Sequence, residues 1–366
     1  MQHPDEIKRR LADYLDAPLA RLSVLASGWE TTVFEFVLES ASPRCPSIPT
    51  QAPVVLRFYQ GAAGEAKAVR ESATVDRLFA CGYPVPRPFA FERSDRALGA
   101  PFFVMERLAG GPMLTVRSFP EAFKTFSLPF FSFVRAQARL HKLDVAGSGL
   151  REIPRAFTSG ALGETASSSD DSPLLDRVLA TIAARVAEGP LPGLRDALIS
   201  VTERAQQFRD APPSIVHMDY HPLNTMVQGV RVTGVIDWAN ADVGDRHLDA
   251  AMTAVILSSW ALEKPRWMRD NLVGNTLRAS FAAMYVPLYH AMAPMDLRRF
   301  RYCQTVSALL RLSLYGMMRA RGPQSVGFRA EALTEITPPA VRALSRYATR
   351  KAGTQVRLDA AAPQPA

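Results

Sequence analysis

The 366-residue sequence is poor in cysteine, and its three cysteines lie far apart in the chain. Cys45, Cys81 and Cys303 lack the close spacing of metal ligands, and an odd number cannot all pair as disulfides. The sequence therefore argues against a disulfide framework and against a cysteine-based zinc site. Because unpaired cysteines are typical of reducing compartments, we expect a cytoplasmic protein.

A long apolar segment is missing as well. The most apolar stretch, Leu248 to Leu262, is too short to span a bilayer and contains Asp249. Residues 1–15 are highly charged and lack the apolar centre of a signal peptide, so we expect an amphipathic helix there. We therefore expect no membrane partner.

Acidic residues are scarce in the final third. Residues 261–366 contain 16 Lys and Arg but only 6 Asp and Glu, in a chain whose net charge is +8. One interpretation is a surface for anionic partners, including nucleic acid. The favoured interpretation is solvated arginines on helix surfaces, because these arginines are scattered and no nucleic-acid-binding motif accompanies them.

Strand patterns concentrate in the first 108 residues, together with one helix predicted at 65–80. The strands are predicted at 21–26, 31–38, 54–59 and 101–107. Residues 39–53 contain four prolines and are predicted to be a loop with freedom to move. In the strand at 54–59, alternation places Val55, Arg57 and Tyr59 on one face.

Helical periodicity dominates the remainder, with a β-rich interruption at 214–240. The helices are predicted at 118–142, 173–188, 192–209, 247–262, 268–288, 296–319 and 338–350. The predicted fold is α+β with two lobes joined near Gly110 and Gly111. A small β-rich lobe occupies residues 1–108, a large mainly helical lobe occupies 109–351, and residues 352–366 are predicted to be a disordered tail.

One motif carries most of the chemistry: His217, Asp219 and Asn224 form the pattern H-x-D-x-x-x-x-N. The protein-kinase catalytic loop has the same order and spacing, with Asp as proton acceptor and Asn as metal ligand. Asp237 ends an apolar stretch after this motif, where a kinase carries its second metal-binding Asp. Alone, each residue has an ordinary interpretation as a turn former or strand end. Together they predict a catalytic Asp219, with Asn224 and Asp237 holding Mg²⁺ against nucleotide phosphates.

The runs HMDYHPLN and GVIDW resemble the aminoglycoside phosphotransferase and choline kinase-like superfamily of small-molecule kinases. Members often read close to H-G-D-x-H-x-x-N and I-D-W. Weaker matches extend from about residue 22 to 255: Arg70-Glu71, Val85-Pro86, Pro101 to Arg107, Leu140 to Asp144, and Gly244-Asp245 with Asp249. The resemblance implies a two-lobe, protein-kinase-like fold that uses ATP or GTP with Mg²⁺ to phosphorylate a hydroxyl of a small molecule. Met218 replaces the Arg of protein kinases, and D-F-G and A-P-E are missing, so a protein kinase is disfavoured.

The resemblance also implies a nucleotide site. Arg57 stands where kinases carry a phosphate-pairing Lys, and Glu71, on the apolar stripe of its helix, is the expected partner of that cation. An exposed strand residue and an exposed helix residue are the ordinary alternatives for these two. The remaining nucleotide contacts are expected from the loop over the phosphates and from the hinge: Ser27, Gly28, Thr31, Met105, Glu106 and Leu108.

Two further residues are predicted to support the catalytic loop. We expect His217 to pack beneath it and to bond the backbone near Asp237, and Asp249 to anchor it from a helix start. His217 and His221 also have the spacing of metal ligands on a helix, an interpretation that we favour less. The candidate substrate contacts are His221, Trp238 and Asn240.

The acceptor stays open at this stage. The resemblance admits an antibiotic such as a macrolide or an aminoglycoside, a sugar, an amino alcohol or a hydroxy acid. Polycationic aminoglycosides call for a carboxylate-rich cleft, so the basic final third favours a neutral or anionic acceptor. Two alternatives are a non-catalytic kinase-like protein that binds nucleotides or small molecules, and nucleic-acid binding, which we favour least. The sequence leaves the oligomeric state open.

Overall fold

An antiparallel sheet with two helices forms the N-terminal lobe of the computed structural model, which describes residues 4–27, 31–61, 63–114, 128–147, 149–158, 172–259 and 272–358. The strands are β1 (Leu19–Ser27), β2 (Thr31–Leu38), β3 (Pro53–Tyr59), β4 (Pro88–Glu92) and β5 (Phe102–Glu106), in the spatial order β1-β2-β3-β5-β4. The helices are α1 (Pro4–Leu15) and α2 (Gly64–Ala80). The sequence predicted all of these elements except β4, which begins at Pro88 within a proline-rich connection.

The alternation of β3 separates two packing layers. Leu56 and Phe58 enter a core that also contains Leu11 of α1. Arg57 and Tyr59 point to the opposite side, toward α2, and Tyr59 belongs to the larger core of the helical lobe. The prediction that Arg57 and Tyr59 share one face of β3 is therefore confirmed. This face places the cationic side chain of Arg57 at the boundary between the lobes.

The proline-rich segment after β2 is packed, which corrects the prediction of a loop with freedom to move. Ile48 is buried in the core that contains α1. The hydroxyl of Ser42 is buried and donates to the Leu15 carbonyl at 2.5 Å, and Thr50 forms a β-bridge with Leu38. Ser42, Ile48 and Thr50 hold the segment in place as single residues among prolines. Such isolated contacts give no helical or strand periodicity, so the sequence did not predict them.

Seven α-helices within the described ranges build the C-terminal lobe. They are α3 (Leu128–Leu140), α4 (Leu174–Glu188), α5 (Arg195–Arg204), α6 (Arg246–Ser259), α7 (Leu272–Met292), α8 (Leu297–Arg321) and α9 (Pro338–Ala352). Helix α8 packs against α4, α5, α6 and α9. Asp296 caps its start by accepting from the amides of Arg298 and Arg299, and Gly322 follows its end.

The predicted helices are found in this lobe, but parts of three of them, 118–127, 260–262 and 268–271, lie outside the described residues. The α+β architecture, with its small sheet lobe and its mainly helical lobe, is confirmed. No helix in the described part of the chain is long and apolar enough to cross a membrane.

Short strands carry the motif region and pair it with the end of the sheet lobe. They are β6 (Gly111–Pro112), β7 (Pro213–Val216), β8 (Thr225–Gln228), β9 (Arg231–Val235) and β10 (Asp242–Asp245). β7 pairs with β10, and β8 pairs with both β9 and β6. The chain therefore leaves the sheet lobe and binds at once to the β8–β9 hairpin, which fixes the lobe junction to the candidate metal ligands.

Residues 352–358 are ordered, which corrects the prediction of a disordered tail from residue 352. Val356 is only 2% exposed, and its amide donates to Thr349 Oγ1 at 3.0 Å. The amide of Arg357 donates to the Gly193 carbonyl at 3.2 Å. One buried valine in a polar segment gives no periodic signal, so the sequence did not reveal this contact. Residues 359–366 lie outside the described residues.

Candidate active site

The loop between β7 and β8 closes on itself around Asn224. The amide nitrogen Nδ2 of Asn224 donates to the Asp219 carbonyl at 3.0 Å, and the backbone amide of Asn224 donates to the His221 carbonyl at 2.9 Å. Because Nδ2 is engaged as a donor, Oδ1 is the side-chain atom of Asn224 that is suited to a cation. The predicted motif therefore folds into one compact turn.

Asp219 lies in this turn with its side chain 28% exposed and two basic groups beside it. Nε2 of His221 is 3.5 Å from Oδ2, and Nη1 of Arg311 is 3.6 Å from Oδ1. Burial raises the pKa of Asp219, but His221 and Arg311 outweigh this effect and hold that pKa well below its usual range. Asp219 is therefore a carboxylate at neutral pH, able to accept a hydrogen bond from a hydroxyl.

His217 lies beneath the loop, where its side chain is fully buried. Its Nε2 hydrogen-bonds the Ile236 carbonyl at 3.0 Å, and its Nδ1 accepts from the Asp219 amide at 3.3 Å. These two bonds fit a neutral ring protonated on Nε2, and burial lowers the pKa of His217. The predicted bond to the backbone beside Asp237 is present.

Asp249, at the start of α6, holds the loop from the other side. Its Oδ1 accepts from the Met218 amide at 2.5 Å. Its Oδ2 bonds Gln137 Nε2 at 2.9 Å and His141 Nε2 at 2.8 Å. The predicted anchoring contact is present, but the sequence analysis assigned no role to Gln137 or His141. Gln137 lies in α3 and His141 directly after it, and only His141 falls inside the Leu140 to Asp144 region that matched the family weakly.

Two residues of the motif region adopt the left-handed backbone conformation, Met218 at φ 63° and Asp237 at φ 68°. This conformation is unfavourable for residues other than glycine and occurs preferentially at functional sites. Here it occurs next to Asp219 and at Asp237 itself. The strained backbone therefore lies beside one of the two carboxylates that the sequence singled out and at the other.

Asp237 follows β9, and the amide of the preceding Ile236 donates to the Asn224 carbonyl at 2.9 Å. The two candidate metal ligands thus meet at one end of the β8–β9 hairpin. A carboxylate and an amide oxygen suit Mg²⁺, which typically takes one or two protein ligands and completes its shell with water and phosphate oxygens. Within the described residues, no group of three or more His, Cys, Asp or Glu could hold a metal, and this small ligand set fits a metal that is shared with a nucleotide.

Arg57 joins the lobes by binding two carboxylates. Nη1 donates to Glu71 Oε1 at 3.1 Å, and Nη2 donates to Asp237 Oδ1 at 2.6 Å. Burial alone would lower the pKa of Arg57, but the two carboxylates raise it, so the guanidinium stays charged. The predicted contact between Arg57 and Glu71 is present, and the contact to Asp237 was not predicted.

Glu71 is itself enclosed by donors. Tyr59 donates to Oε2 at 2.7 Å, and the Trp238 amide donates to Oε1 at 3.3 Å. Burial raises the pKa of Glu71 above its usual range, and Arg57 offsets part of that rise. The sequence placed Tyr59 on the same face of β3 as Arg57, but no role was predicted for it. A tyrosine on an inward face needs a hydrogen-bond partner for its hydroxyl.

The predicted hinge residues lie at the end of β5 and beyond it. Met105 and Leu108 are buried, whereas Glu106 is exposed. The Glu106 amide donates to the Arg87 carbonyl at 2.9 Å, and Arg107 Nη1 donates to the Leu108 carbonyl at 2.9 Å. Their roles in nucleotide binding stay predictions.

The predicted phosphate loop is described only at its ends. Ser27 ends β1, and Thr31 is buried at the start of β2, where its carbonyl accepts from Arg329 Nη2 at 3.3 Å. Gly28 lies outside the described residues. The role of this loop therefore also stays a prediction.

Trp238 is a core residue, which corrects its prediction as a substrate contact. Its side chain is fully buried, and its Nε1 donates to the Val235 carbonyl at 2.9 Å. Its ring lies 4.5 Å from the ring of His217 and 5.8 Å from that of Tyr83. A large aromatic side chain is stable in the core when its N–H has a partner there, so Trp238 packs beneath the loop.

The other two candidate substrate contacts lie near the loop. His221 is half-buried and borders Asp219. Asn240 is half-buried in the turn after Trp238. Both roles stay predictions.

Arg311 of α8 is a site residue that the sequence analysis missed. Its Nη2 donates to the Tyr315 hydroxyl at 2.7 Å, and its Nη1 faces Asp219. A signal was available, because Arg311 is the only charged residue in the apolar stretch 306–318. An isolated charge within an apolar helix segment needs a partner, and here the partner is the candidate catalytic carboxylate.

Comparison with known proteins supports the resemblance noted in the sequence. A model of the phosphotransferase enzyme family matches residues 21–295. The homoserine kinase of Gluconobacter oxydans strain 621H is 27% identical over 212 residues, which are 56% of this chain and 60% of that protein. The chain therefore aligns with less than two thirds of that kinase's length.

Solved structures share the fold. A candidate aminoglycoside phosphotransferase from Ralstonia eutropha JMP134 superposes with a TM-score of 0.61 at 16% identity, covering 95% of this chain and 98% of that chain. A thermostable mutant of aminoglycoside phosphotransferase APH(4)-Ia, in a ternary complex with ADP and hygromycin B, superposes with a TM-score of 0.56 at 17% identity and covers 87% and 97%. At such low identity these structures support the fold alone.

Proposed function

The chain belongs to the phosphotransferase enzyme family, and on that basis we propose that it is a small-molecule kinase that transfers the γ-phosphate of ATP or GTP to a hydroxyl. The observation that carries the proposal is the partly exposed Asp219 carboxylate, held in the same turn as Asn224. Asp237 lies at the end of the adjoining hairpin and is bound to Arg57. A base, two oxygen ligands and a cation are the groups that phosphoryl transfer needs.

In the proposed reaction, the acceptor hydroxyl oxygen forms a bond to the γ-phosphorus while the bond to the bridging oxygen breaks. The nucleoside diphosphate leaves, and the hydroxyl proton passes to Asp219. Its pKa lies well below the usual range, so Asp219 is a weak base that serves chiefly to orient the hydroxyl. Such orientation suits a loose transition state, in which positioning matters more than strong base catalysis.

Arg57 and the metal ligands would serve the phosphates. Arg57 stays charged and is held by Glu71 and Asp237, so it can supply positive charge at the phosphate position. We propose that Asn224 and Asp237 hold Mg²⁺, which when bound would neutralise phosphate charge. The complex of APH(4)-Ia with ADP supports use of an adenine nucleotide, and we keep GTP as the alternative donor.

The acceptor is proposed as a class. The relative from Gluconobacter is named for homoserine, an amino acid with a side-chain hydroxyl, and APH(4)-Ia binds hygromycin B. The basic final third disfavours a polycation. We therefore favour hydroxy acids and amino alcohols over aminoglycosides, and keep macrolides and sugars as further candidates. We also propose that the protein acts in the cytoplasm, which its three free cysteines support.

A screen of hydroxylated small molecules for acceptor-dependent release of ADP or GDP tests the proposal, with Mg²⁺ present or removed by a chelator. We expect Asp219→Ala to lower kcat by roughly 10²- to 10⁴-fold with unchanged nucleotide affinity, whereas Asp76→Ala, at an exposed position on α2, keeps full activity. Equal turnover in the wild type and Asp219→Ala would refute the mechanism. Nucleotide binding without turnover of any acceptor would favour the non-catalytic alternative.

A further inference from the structure

Arg311 occupies the position next to Asp219 where an acceptor must bind. Its Nη1 lies 3.6 Å from Asp219 Oδ1, and its side chain is 21% exposed. If Asp219 receives the acceptor proton, as the proposed function requires, the hydroxyl must come within hydrogen-bond distance of that carboxylate. A group this close to Asp219 therefore lines the acceptor site.

The guanidinium of Arg311 has few bonds for an arginine inside a lobe. Only Nη2 makes a hydrogen bond within the described residues, to Tyr315, and Nε is buried without a partner there. Buried donors are normally satisfied, and exceptions call for an explanation such as a missing ligand. Nη1 makes no hydrogen bond within the described residues, so Arg311 has an unbonded donor beside Asp219.

Two structural arginines in the same structure give the contrast. Arg70 donates to the carbonyls of Pro154, Ala239 and Arg155 at 2.7 to 2.8 Å. Arg177 donates to two carbonyls and to the Asp242 carboxylate. Each guanidinium nitrogen of Arg70 and Arg177 therefore makes a hydrogen bond, whereas Nε of Arg311 makes none within the described residues.

The charge around Asp219 selects against cations. Arg311 is permanently charged, and His221 stands 3.5 Å from the other carboxylate oxygen. An ammonium group at this point would be repelled, whereas a carboxylate could take two parallel hydrogen bonds from the guanidinium.

The distance limits the size of the acceptor. With hydrogen bonds of about 2.8 Å at each end, a hydroxyl on Asp219 and an anionic oxygen on Arg311 lie no more than roughly 9 Å apart. We propose that Arg311 binds a carboxylate of the acceptor, and that the acceptor is a short hydroxy acid or hydroxy amino acid. This inference rests on the proposed function.

The test compares matched acceptors: L-homoserine, L-serine and 4-hydroxybutyrate, each beside its carboxamide, with 4-amino-1-butanol as a cation. We expect the wild type to prefer at least one acid over its amide. In Arg311→Met the KM of that acid should rise roughly 10- to 150-fold, the loss expected for a charged hydrogen bond. The KM of the nucleotide should stay unchanged, and Arg311→Lys should restore part of the preference.

The matched control is Arg321→Met, at the exposed end of α8, which should behave as the wild type. Preference for amides or 4-amino-1-butanol in the wild type would overturn the inference while leaving the kinase proposal intact. An equal fall in kcat for charged and neutral acceptors in Arg311→Met would also overturn it, because the cation would then serve the transferred phosphoryl group. If no acid is phosphorylated, the inference fails, and the Asp219→Ala comparison with other acceptors decides the kinase proposal separately.

Discussion

The guanidinium of Arg57 donates to the Asp237 carboxylate at 2.6 Å, across the boundary between the two lobes. The same guanidinium donates to Glu71, and the side chains of Arg57 and Glu71 are only 10% and 1% exposed. One cation thus balances two carboxylates, one from each lobe. The phosphate-binding position and the metal-binding position are therefore a single electrostatic unit.

Breaking this unit from the cationic side should destabilise the fold strongly. Arg57→Met leaves Glu71 buried without its ion partner, and removing one member of such a pair costs about 3–5 kcal/mol. We expect that loss in the free energy of unfolding by urea. The double variant Arg57→Met with Glu71→Gln should recover part of it, because the orphaned charge is then gone. A double variant as unstable as the sum of the two single variants would refute the coupling.

Asp249 should matter for both stability and activity. It accepts from Met218, Gln137 and His141 with no exposure to solvent. Asp249→Asn replaces one carboxylate oxygen by an NH2 group, which is itself a donor and cannot accept these bonds. We therefore expect the free energy of unfolding to fall by about 2–4 kcal/mol. Because Asp249 holds the loop that carries Asp219, loosening its contacts should also lower kcat while the nucleotide KM stays the same. Asp196→Asn, at an exposed position on α5, is the control, and a loss of the same size there would argue against a special role.

Much of this site follows from local sequence. The spacing of His217, Asp219 and Asn224 identified the loop, and the alternation of β3 placed Arg57 toward α2. Glu71 could be paired with Arg57 because both lie on inward faces of neighbouring elements. These inferences succeeded because each depends on short-range geometry, with a period of two in a strand or one turn in a helix.

The remaining features depend on contacts between distant segments. Arg311 reaches Asp219 only after α8 packs against α6, and Trp238 is buried by His217 and Tyr83 in a way that its position after Asp237 does not reveal. Tertiary contacts of this kind decide whether an aromatic or a charged side chain faces a ligand or the core. Sequence identifies such residues as unusual but does not say which neighbour explains them.

The buried imidazole of His217 should give the stability a pH dependence. Burial lowers its pKa below the ordinary value of 6.5, so below about pH 6.5 the unfolded chain binds a proton that the folded chain does not. Stability from His217 is therefore present above that pH and lost as the pH falls, by at most about 1.4 kcal/mol per pH unit.

His217→Gln isolates this effect, because glutamine does not titrate. The advantage of the wild type in urea unfolding should shrink between pH 7 and pH 5. A constant difference between the two proteins over that range would show that His217 is not held neutral by the fold.

Gly110 fixes the junction between the lobes, and alanine should not be tolerated there. Gly110 has φ 85°, and a Cβ built on it would lie 2.0 Å from the Val227 carbonyl oxygen. This neighbour is backbone in β8, so relief requires the β6–β8 pairing to shift. Gly82 has a similar φ of 67°, but a Cβ there would meet nothing within 4 Å. An alanine at either position would have to adopt the left-handed conformation. The two variants therefore differ only in the clash with the Val227 carbonyl.

We expect Gly82→Ala to cost about 1–2 kcal/mol, the ordinary cost of this conformation. Gly110→Ala should cost at least about 2 kcal/mol more, within the range seen for strained or overpacked sites. Because β8 begins next to Asn224 and pairs with the strand that leads to Asp237, Gly110→Ala should also raise the Mg²⁺ concentration needed for half-maximal activity. Gly82→Ala should leave that concentration unchanged. If both variants lost the same stability and kept the same Mg²⁺ dependence, the junction would not position the metal ligands.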